Sequence, residues 1–313
     1  MEGANQTEVT EFILMGFSTS PELQRILFVM FLVIYLLTIA SNTSIIAIVR
    51  TCPTLHCPMY MLLSNLSFLE IWYISVTVPK MLAGLLLGNR SISVSGCIAQ
   101  MSFFFTMGST EFFLLALMAY DRYLAICHPL RYSTIICNAL CLKLSAVAWA
   151  SGFLASSVLT VAVSRLSFRG PNEIDHFFCD FVPLSKLSCS DTRLSKLVCF
   201  TLTWAVAGSS FLLTASSYGC ILRTAWRTPS ESGLQKALST CSAHIIVTGI
   251  FYGSALSMYA RPPGMESSSM DKVVSLLYCV LIPLLNPVVY TLRNKMVKEA
   301  LRKAVMHSGL FRV

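Results

Sequence analysis

Charge is what this sequence has least of. Only 12% of its 313 residues are Asp, Glu, Lys or Arg, about half the share usual in a soluble domain. Mean hydropathy is +0.68, so lipid is the expected solvent. A basic start followed by an apolar centre, the mark of a cleavable leader, is also missing. The first 25 residues hold Glu2, Glu8, Glu11 and Glu22, and no apolar core begins before Ile26. The first apolar stretch is therefore expected to direct insertion itself. Internal repeats of the kind that mark many transporters are absent. So is the His-rich or acid-rich cluster that a membrane enzyme would need, and the chain is not expected to be an enzyme. Twelve cysteines in a membrane chain serve mostly as apolar filler or thiols, and only those on the oxidising side are candidates for bridges. None follows Cys279, so no palmitoyl anchor is expected in the tail.

What is present is a series of apolar runs. Seven are expected to cross the bilayer, at 26–49, 59–82, 98–121, 141–163, 196–222, 237–260 and 272–292, since about 20 apolar residues suffice to span it. The fold class is thus all-α, a seven-helix transmembrane bundle. Its expected organisation is an extracellular N-terminus over 1–25, a seven-transmembrane domain over 26–292 and a cytoplasmic amphipathic helix and tail over 293–313. With the N-terminus outside, the inner segments carry Arg50, Arg122, Arg131, Lys143, Arg223, Arg227, Lys236, Arg293, Lys295, Lys298, Arg302, Lys303 and Arg312, against Asp121, Glu231 and Glu299. The outer segments balance, so the bias follows the positive-inside rule. The sequon Asn5-Gln6-Thr7 makes Asn5 the expected glycosylation site; Asn89-Arg90-Ser91 is a second match, close to the membrane. In the tail, Met296, Val297, Ala300, Leu301, Ala304 and Val305 recur at helical spacing among Lys298, Arg302 and Lys303. That pattern predicts a short amphipathic helix lying against lipid headgroups.

The third span carries the most chemistry. Cys97, Met101, Phe104, Gly108, Glu111, Leu115, Met118 and Arg122 follow one another by three or four residues and share one helical face. The stripe joins an outer cysteine, an apolar upper wall, a mid-membrane carboxylate and an inner arginine. From Phe104 to Arg122 it spans roughly 27 Å. Ionisable groups inside a membrane are costly and mark function, which singles out Glu111 here and Glu70 in the second span. By the same spacing Thr248, Tyr252, Ala255 and Tyr259 share a face of the sixth.

The run Met118-Ala119-Tyr120-Asp121-Arg122-Tyr123-Leu124-Ala125-Ile126-Cys127-His128-Pro129-Leu130-Arg131-Tyr132 resembles the signature of olfactory receptors at the inner end of the third helix. Pro58-Met59-Tyr60, Pro79-Lys80-Met81-Leu82, Ser217-Tyr218, Lys236-Ala237-Leu238-Ser239-Thr240-Cys241 and Pro283-Leu284-Leu285-Asn286-Pro287-Val288-Val289-Tyr290 resemble that family's other blocks, in order along the whole chain. The resemblance implies a rhodopsin-like receptor in the plasma membrane. It would bind a small hydrophobic odorant and pass the signal to a heterotrimeric G protein of the stimulatory olfactory type, raising cAMP. Membrane lipid is its other partner, and nucleic acid is none. Asp121 would restrain Arg122 at rest; Arg122, once freed, would engage the G protein, with Tyr123, Tyr218, Asn286, Pro287 and Tyr290 in the switch. The ligand wall would comprise Phe104, Phe105, Gly108 and Ser109 from the third helix and Leu202, Thr203 and Val206 from the fifth. Thr248, Tyr252, Ala255 and Tyr259 would join from the sixth, and Cys279 from the seventh. Receptors for biogenic amines carry an aspartate where Phe104 stands, so a neutral ligand is expected. Cys97 and Cys179 match the family's bridge.

Three departures stand out: Arg169 where the second outer loop usually has cysteine, Glu70 where the second helix usually has aspartate, and Leu238 where the sixth-helix block has phenylalanine. The first leaves Cys189 without its usual partner. The implied arrangement also sets Glu70 and Glu111 around one polar cavity with Asn42 and Asn286 nearby. Two carboxylates there need a cation, a shared proton or hydrogen bonds. A sodium ion is the expected occupant and no other cofactor is expected; protonated carboxyls are the alternative. Other classes weighed for the chain are a receptor for a non-odorant small molecule and a transporter or channel that uses the two glutamates as an ion path.

Overall fold

In the computed structural model of the chain, residues 8–17, 20–227, 231–260, 270–293, 296–300 and 302 are described, with the backbone alone for 231–240, 243 and 290–293. Seven long helices account for most of them: α1 (Pro21–Thr51), α2 (Pro58–Leu87), α3 (Val94–Cys127), α4 (Asn138–Ser164), α5 (Arg193–Arg227), α6 (Glu231–Tyr259) and α7. The last runs from Asp271–Leu276 through a π-helical turn at Leu277–Leu281 into Ile282–Arg293. Among the described residues six of these helices are long and apolar enough to cross a membrane.

Each expected span lies within an observed helix, apart from Ala260, which falls just beyond α6. The helices run longer than the spans because caps, not hydropathy, end them. Ser20 accepts from the Leu23 N–H, with Pro21 at the first helical position, and Ser93 accepts from the Gly96 N–H at 3.1 Å. Gly88 closes α2 at φ 65°, a conformation that costs a residue without a Cβ little. At 34 residues, α3 is about 51 Å long and overreaches the roughly 30 Å hydrocarbon core. Its ends therefore project into the headgroup layers. It is also the hub of the bundle, packing against α2, α4, α5 and α6.

The outward faces are apolar. Ile26, Val29, Val33, Leu36 and Leu37 of α1 and Leu142, Val147, Phe153 and Leu154 of α4 are exposed. So broad an apolar surface suits lipid, where the helix ladder satisfies the backbone internally. Close packing of α4 on α3 depends on Gly152, where an added Cβ would lie 2.9 Å from both the Thr106 carbonyl and the Thr110 nitrogen.

One end of the bundle carries a feature that periodicity did not suggest. Strand β1 (Glu11–Leu14) pairs antiparallel with β2 (Ser91–Ser93), between α2 and α3, and parallel with β3 (Glu173–Ile174), between α4 and α5. The N-terminal segment is thus woven into the bundle's cap. Phe12 and Leu14 pack into a small second core with Cys97, Met101, Phe168, Ile174 and Phe181. In the tail, residues 296–300 and 302 are helical, with Val297 and Ala300 buried against the bundle and Met296 exposed. The other tail positions named above lie outside the described residues, as does Asn5.

Candidate functional site

Cys97, in the first turns of α3, and Cys179, in the connection between α4 and α5, form a disulfide with Cα atoms 5.3 Å apart. The bridge draws that connection across the bundle mouth, and Gln100 fixes it further by accepting from the Cys179 N–H at 2.9 Å. Beneath it His176, Phe177 and Phe178 are buried, and the Phe178 ring lies 4.6 Å from that of Phe104. Cys189 is exposed outside any disulfide, its thiol directed to the Arg169 carbonyl at 3.1 Å.

Under this roof α2, α3, α4, α5, α6 and α7 line a mostly apolar cavity with a few hydroxyls, the make-up of small-molecule sites. Its wall includes Phe104, Phe105, Gly108 and Ser109 of α3, Leu202, Thr203 and Val206 of α5, and Ala255 and Tyr259 of α6. Thr248, Tyr252 and Cys279, also expected there, are not in the wall. The reason is an aromatic floor: Phe112 packs 4.6 Å from Phe251 and 4.8 Å from Tyr252. Phe251 thereby takes the wall position that spacing gave to Tyr252. Thr248, a turn lower, reaches His244 instead, at 3.3 Å. On α7 the π-turn shifts the helical register and presents Tyr278 where Cys279 was expected.

Tyr73, Phe112, Ala155, Ser156, Leu159 and Cys199 complete the wall. The small residues Ala155 and Ser156, one turn from Gly152, were the available signal for α4: they let it approach α3 and expose part of its face to the cavity.

The roof is tied to the wall by a hydrogen-bond chain. Tyr259 Oη donates to Asp180 Oδ1 at 2.9 Å, the two hydroxyls of Tyr259 and Tyr278 are 2.8 Å apart, Ser275 Oγ lies 3.2 Å from Tyr278 Oη, and His176 Nε2 lies 3.2 Å from Ser275 Oγ. Burial raises the Asp180 carboxyl to about 7, against the pull of its bonds from Tyr259 and Phe181. Burial, then the nearby Lys272 ammonium, lowers His176 to about 3. Lys272 itself pairs with Asp175 at 2.5 Å and donates to the Gly16 carbonyl at 3.2 Å.

Below the cavity Glu70 and Glu111 are fully buried, along with Asn42 and Asn286. Asn286 Nδ2 donates to Glu70 Oε1, and Asn42 Nδ2 donates to the Pro283 carbonyl at 3.1 Å. The remaining oxygens, Glu70 Oε2, both of Glu111, Asn42 Oδ1 and Asn286 Oδ1, have no hydrogen-bond partner. An all-oxygen set of this kind fits a hard monovalent cation. It equally fits carboxyls that carry protons.

At the far end of α3, Asp121 is buried and accepts from the Tyr132 hydroxyl at 2.7 Å. Tyr132, which closes the signature run, is a partner that the reading of Asp121 with Arg122 alone did not include. Tyr123 Oη lies 3.0 Å from His128 Nε2 and Tyr218 Oη 2.5 Å from His244 Nδ1, the latter joining α5 to α6. Asn286 and Pro287 lie within α7. The side chains of Tyr290 and of residues 236–240 are outside the described set.

A lipid-facing bundle of seven helices, with a roofed apolar cavity in one half and a buried polar layer beneath it, is the architecture of a seven-helix membrane receptor. The comparisons give the family. The model of the olfactory receptor family matches residues 31–308. Olfactory receptor 6B1 of Homo sapiens is 49% identical over 303 residues, covering 97% of each chain. Olfactory receptor 6P1 of Homo sapiens is 46% identical over 306, covering 98% of this chain and 96% of its own. Olfactory receptor 226 of Rattus norvegicus is 46% identical over 310, covering 97% and 95%. The chain belongs to the olfactory receptor family of G-protein-coupled receptors.

Proposed function

We propose that this chain is an odorant receptor of the plasma membrane, with residues 1–25 outside and 293–313 in the cytoplasm. Within the 26–292 domain a small, neutral, mostly apolar molecule binds in the roofed cavity. The bound receptor then activates a stimulatory olfactory-type G protein, and cAMP rises. The observation that carries this reading is the cavity itself: an apolar pocket beneath the roof, lined by helices that continue to the opposite end of the bundle.

A ligand can shift such a receptor only by its differential affinity for two arrangements. Contact with α3, α5 and α6 together makes the ligand sensitive to how these helices sit relative to one another. The floor of Phe112, Phe251 and Tyr252 couples that arrangement downward, through His244 and Tyr218, to the Arg122 end. There Asp121, steadied by Tyr132, restrains Arg122 at rest. Arg122, once released, meets the G-protein α subunit, while Tyr123, Tyr218, Asn286, Pro287 and Tyr290 support the open state. Glu70 and Glu111 hold a sodium ion at rest, and its departure eases the rearrangement.

The test is a cAMP reporter in cells that carry the receptor at a measured surface level, screened with neutral volatile compounds. Arg122→Ala should abolish the response at an equal surface level. Full signalling by Arg122→Ala, or a ligand-driven current without a G protein, would reject the reading.

A further inference from the structure

The hydrogen-bond chain between roof and wall holds more than the loop: it fixes where each hydroxyl hydrogen points. Its direction is set at the Asp180 end, and the contact at the His176 end agrees with it. At one end the Phe178 N–H donates to His176 Nδ1 at 3.4 Å. A ring whose Nδ1 accepts, kept neutral by its burial, carries its single hydrogen on Nε2. That hydrogen goes to Ser275 Oγ. At the other end Asp180 Oδ1 accepts from the Phe181 N–H at 2.7 Å and from Tyr259. A proton on Asp180, if placed on Oδ2, would leave both of those bonds as they are.

Each hydroxyl has one hydrogen to give. Tyr259 spends its own on Asp180, so the hydrogen between Tyr259 and Tyr278 comes from Tyr278. Ser275 must then supply the one shared with Tyr278, and its oxygen accepts from His176. Every hydrogen of the series is used, from His176 through Ser275, Tyr278 and Tyr259 to Asp180. Tyr259 and Tyr278 both line the cavity. What they retain is oxygen lone pairs.

We infer that the polar anchor of this cavity, the Tyr259–Tyr278 hydroxyl pair, accepts hydrogen bonds but gives none, so that the receptor selects odorants carrying a hydroxyl donor, alcohols and phenols, over aldehydes, ketones, esters and ethers of the same carbon skeleton. This rests on the odorant-receptor reading above and narrows it to a ligand class. A ligand hydroxyl extends the chain by one donor at no cost to the existing bonds. A carbonyl in the same place would face lone pairs and leave its own oxygen unpaired in an apolar cavity, which is unfavourable. The wall's other hydroxyls, on Ser109, Ser156 and Thr203, stand outside this series; Ser156 already donates to the Ser102 carbonyl at 2.6 Å, and a carbonyl contact made by Ser109 or Thr203 would not change with Tyr259→Phe.

Paired probes test it: octan-1-ol beside octanal and 1-methoxyoctane, and 4-methylphenol beside 4-methylanisole, in cAMP dose–response on the intact receptor. The hydroxyl compound of each set should be about five- to tenfold more potent, the worth of one net hydrogen bond. Tyr259→Phe should do more than weaken binding. It removes the acceptor of the Tyr278 hydrogen, which then turns to the ligand, so octanal should gain on octan-1-ol. Equal potency of alcohol and aldehyde in the native receptor, or an alcohol preference untouched by Tyr259→Phe, overturns the inference. A ligand-free arm keeps the two readings apart. Nitrogen-15 NMR of histidine-labelled receptor in detergent should show His176 as the neutral Nε2–H tautomer, and an Nδ1–H or doubly protonated ring overturns the inference. Silence of every probe at full surface expression counts against the signalling reading, while the tautomer still decides the proton order.

Discussion

Gly108 offers the sharpest single-residue probe of the cavity. It lies in the α3 wall, and a Cβ built on it would sit 3.6 Å from the Tyr73 hydroxyl and 3.8 Å from that ring. Those are ordinary contacts, so Gly108→Ala should fold and signal with at most a few-fold loss of potency. Gly108→Leu adds three more carbons, and the space open to them is the cavity. They would displace an equivalent part of the ligand. At about 0.8 kcal/mol for each methylene-sized group the ligand can no longer bury, the loss comes to about 2–3 kcal/mol. That is roughly a 30- to 100-fold rise in EC50. Stability should change little, because the added atoms fill empty space. The assay is a cAMP dose–response to the best agonist of the panel, with surface level measured by antibody and melting temperature measured in detergent. An unchanged curve for Gly108→Leu at normal surface level would refute the placement of the ligand. Loss of melting temperature as large as the loss of potency would show instead that the helix interface had been overpacked.

Other outcomes follow from the polar groups. If sodium sits among the unpartnered oxygens of Glu70, Glu111, Asn42 and Asn286, the Glu70→Gln, Glu111→Gln pair should erase any sodium dependence of basal activity or melting; persistence of that dependence rules the site out. Asp180 titrates at about 7 when folded against an ordinary 3.8, so the folded state holds its proton longer and stability falls as pH rises between those values. His176 works in the opposite sense: lowered from 6.5 to about 3, it adds stability as pH rises across that interval. Asp180→Asn should therefore leave melting temperature climbing up to about pH 6.5 and then flat, and a continued fall above that pH would assign the effect to another group. Cys189, exposed and unbridged, should take up maleimide in unreduced receptor, whereas its recovery in a disulfide peptide would contradict the structure.

The residues announced the bundle far better than they announced the cavity. Long apolar runs bounded by Pro53, Pro58 and Pro129 can do little in lipid except form helices, so the seven spans were legible from composition alone. The α3 stripe was legible for the same reason, because a straight helix preserves its face. Thr248, Tyr252 and Cys279 fall outside the cavity lining where that premise fails. A bulky ring at Phe112 on a neighbouring helix decides which face of α6 reaches the cavity, and a π-turn in α7 shifts the register by a residue. Neither is written in the spacing of the helix concerned. Glu11–Leu14 was read as a plain outer tail because four residues of Glu-Phe-Ile-Leu carry no strand signal of their own; their partners at 91–93 and 173–174 are equally short. Tyr132 was in view within the signature, but its bond to Asp121 depends on the turn after His128 folding back beneath α3.

The pairing of Ile13 with Glu173 also bears on the order of assembly. Strand β1 precedes every helix of the bundle, yet one of its partners follows about 80 residues later and the other about 160. Its β2 edge can pair once α2 is made, but its β3 edge has to wait until α4 has inserted and the Cys97–Cys179 bridge comes within reach. Contacts so distant in sequence are the slow ones to form, and unpaired strand edges on waiting chains are where association with other chains begins. Strand β1, which precedes every helix, is thus among the last segments to be fixed. A change within Glu11–Leu14 therefore acts on a late step of assembly, and it should lower the amount of receptor at the cell surface even where every helix is left as it is.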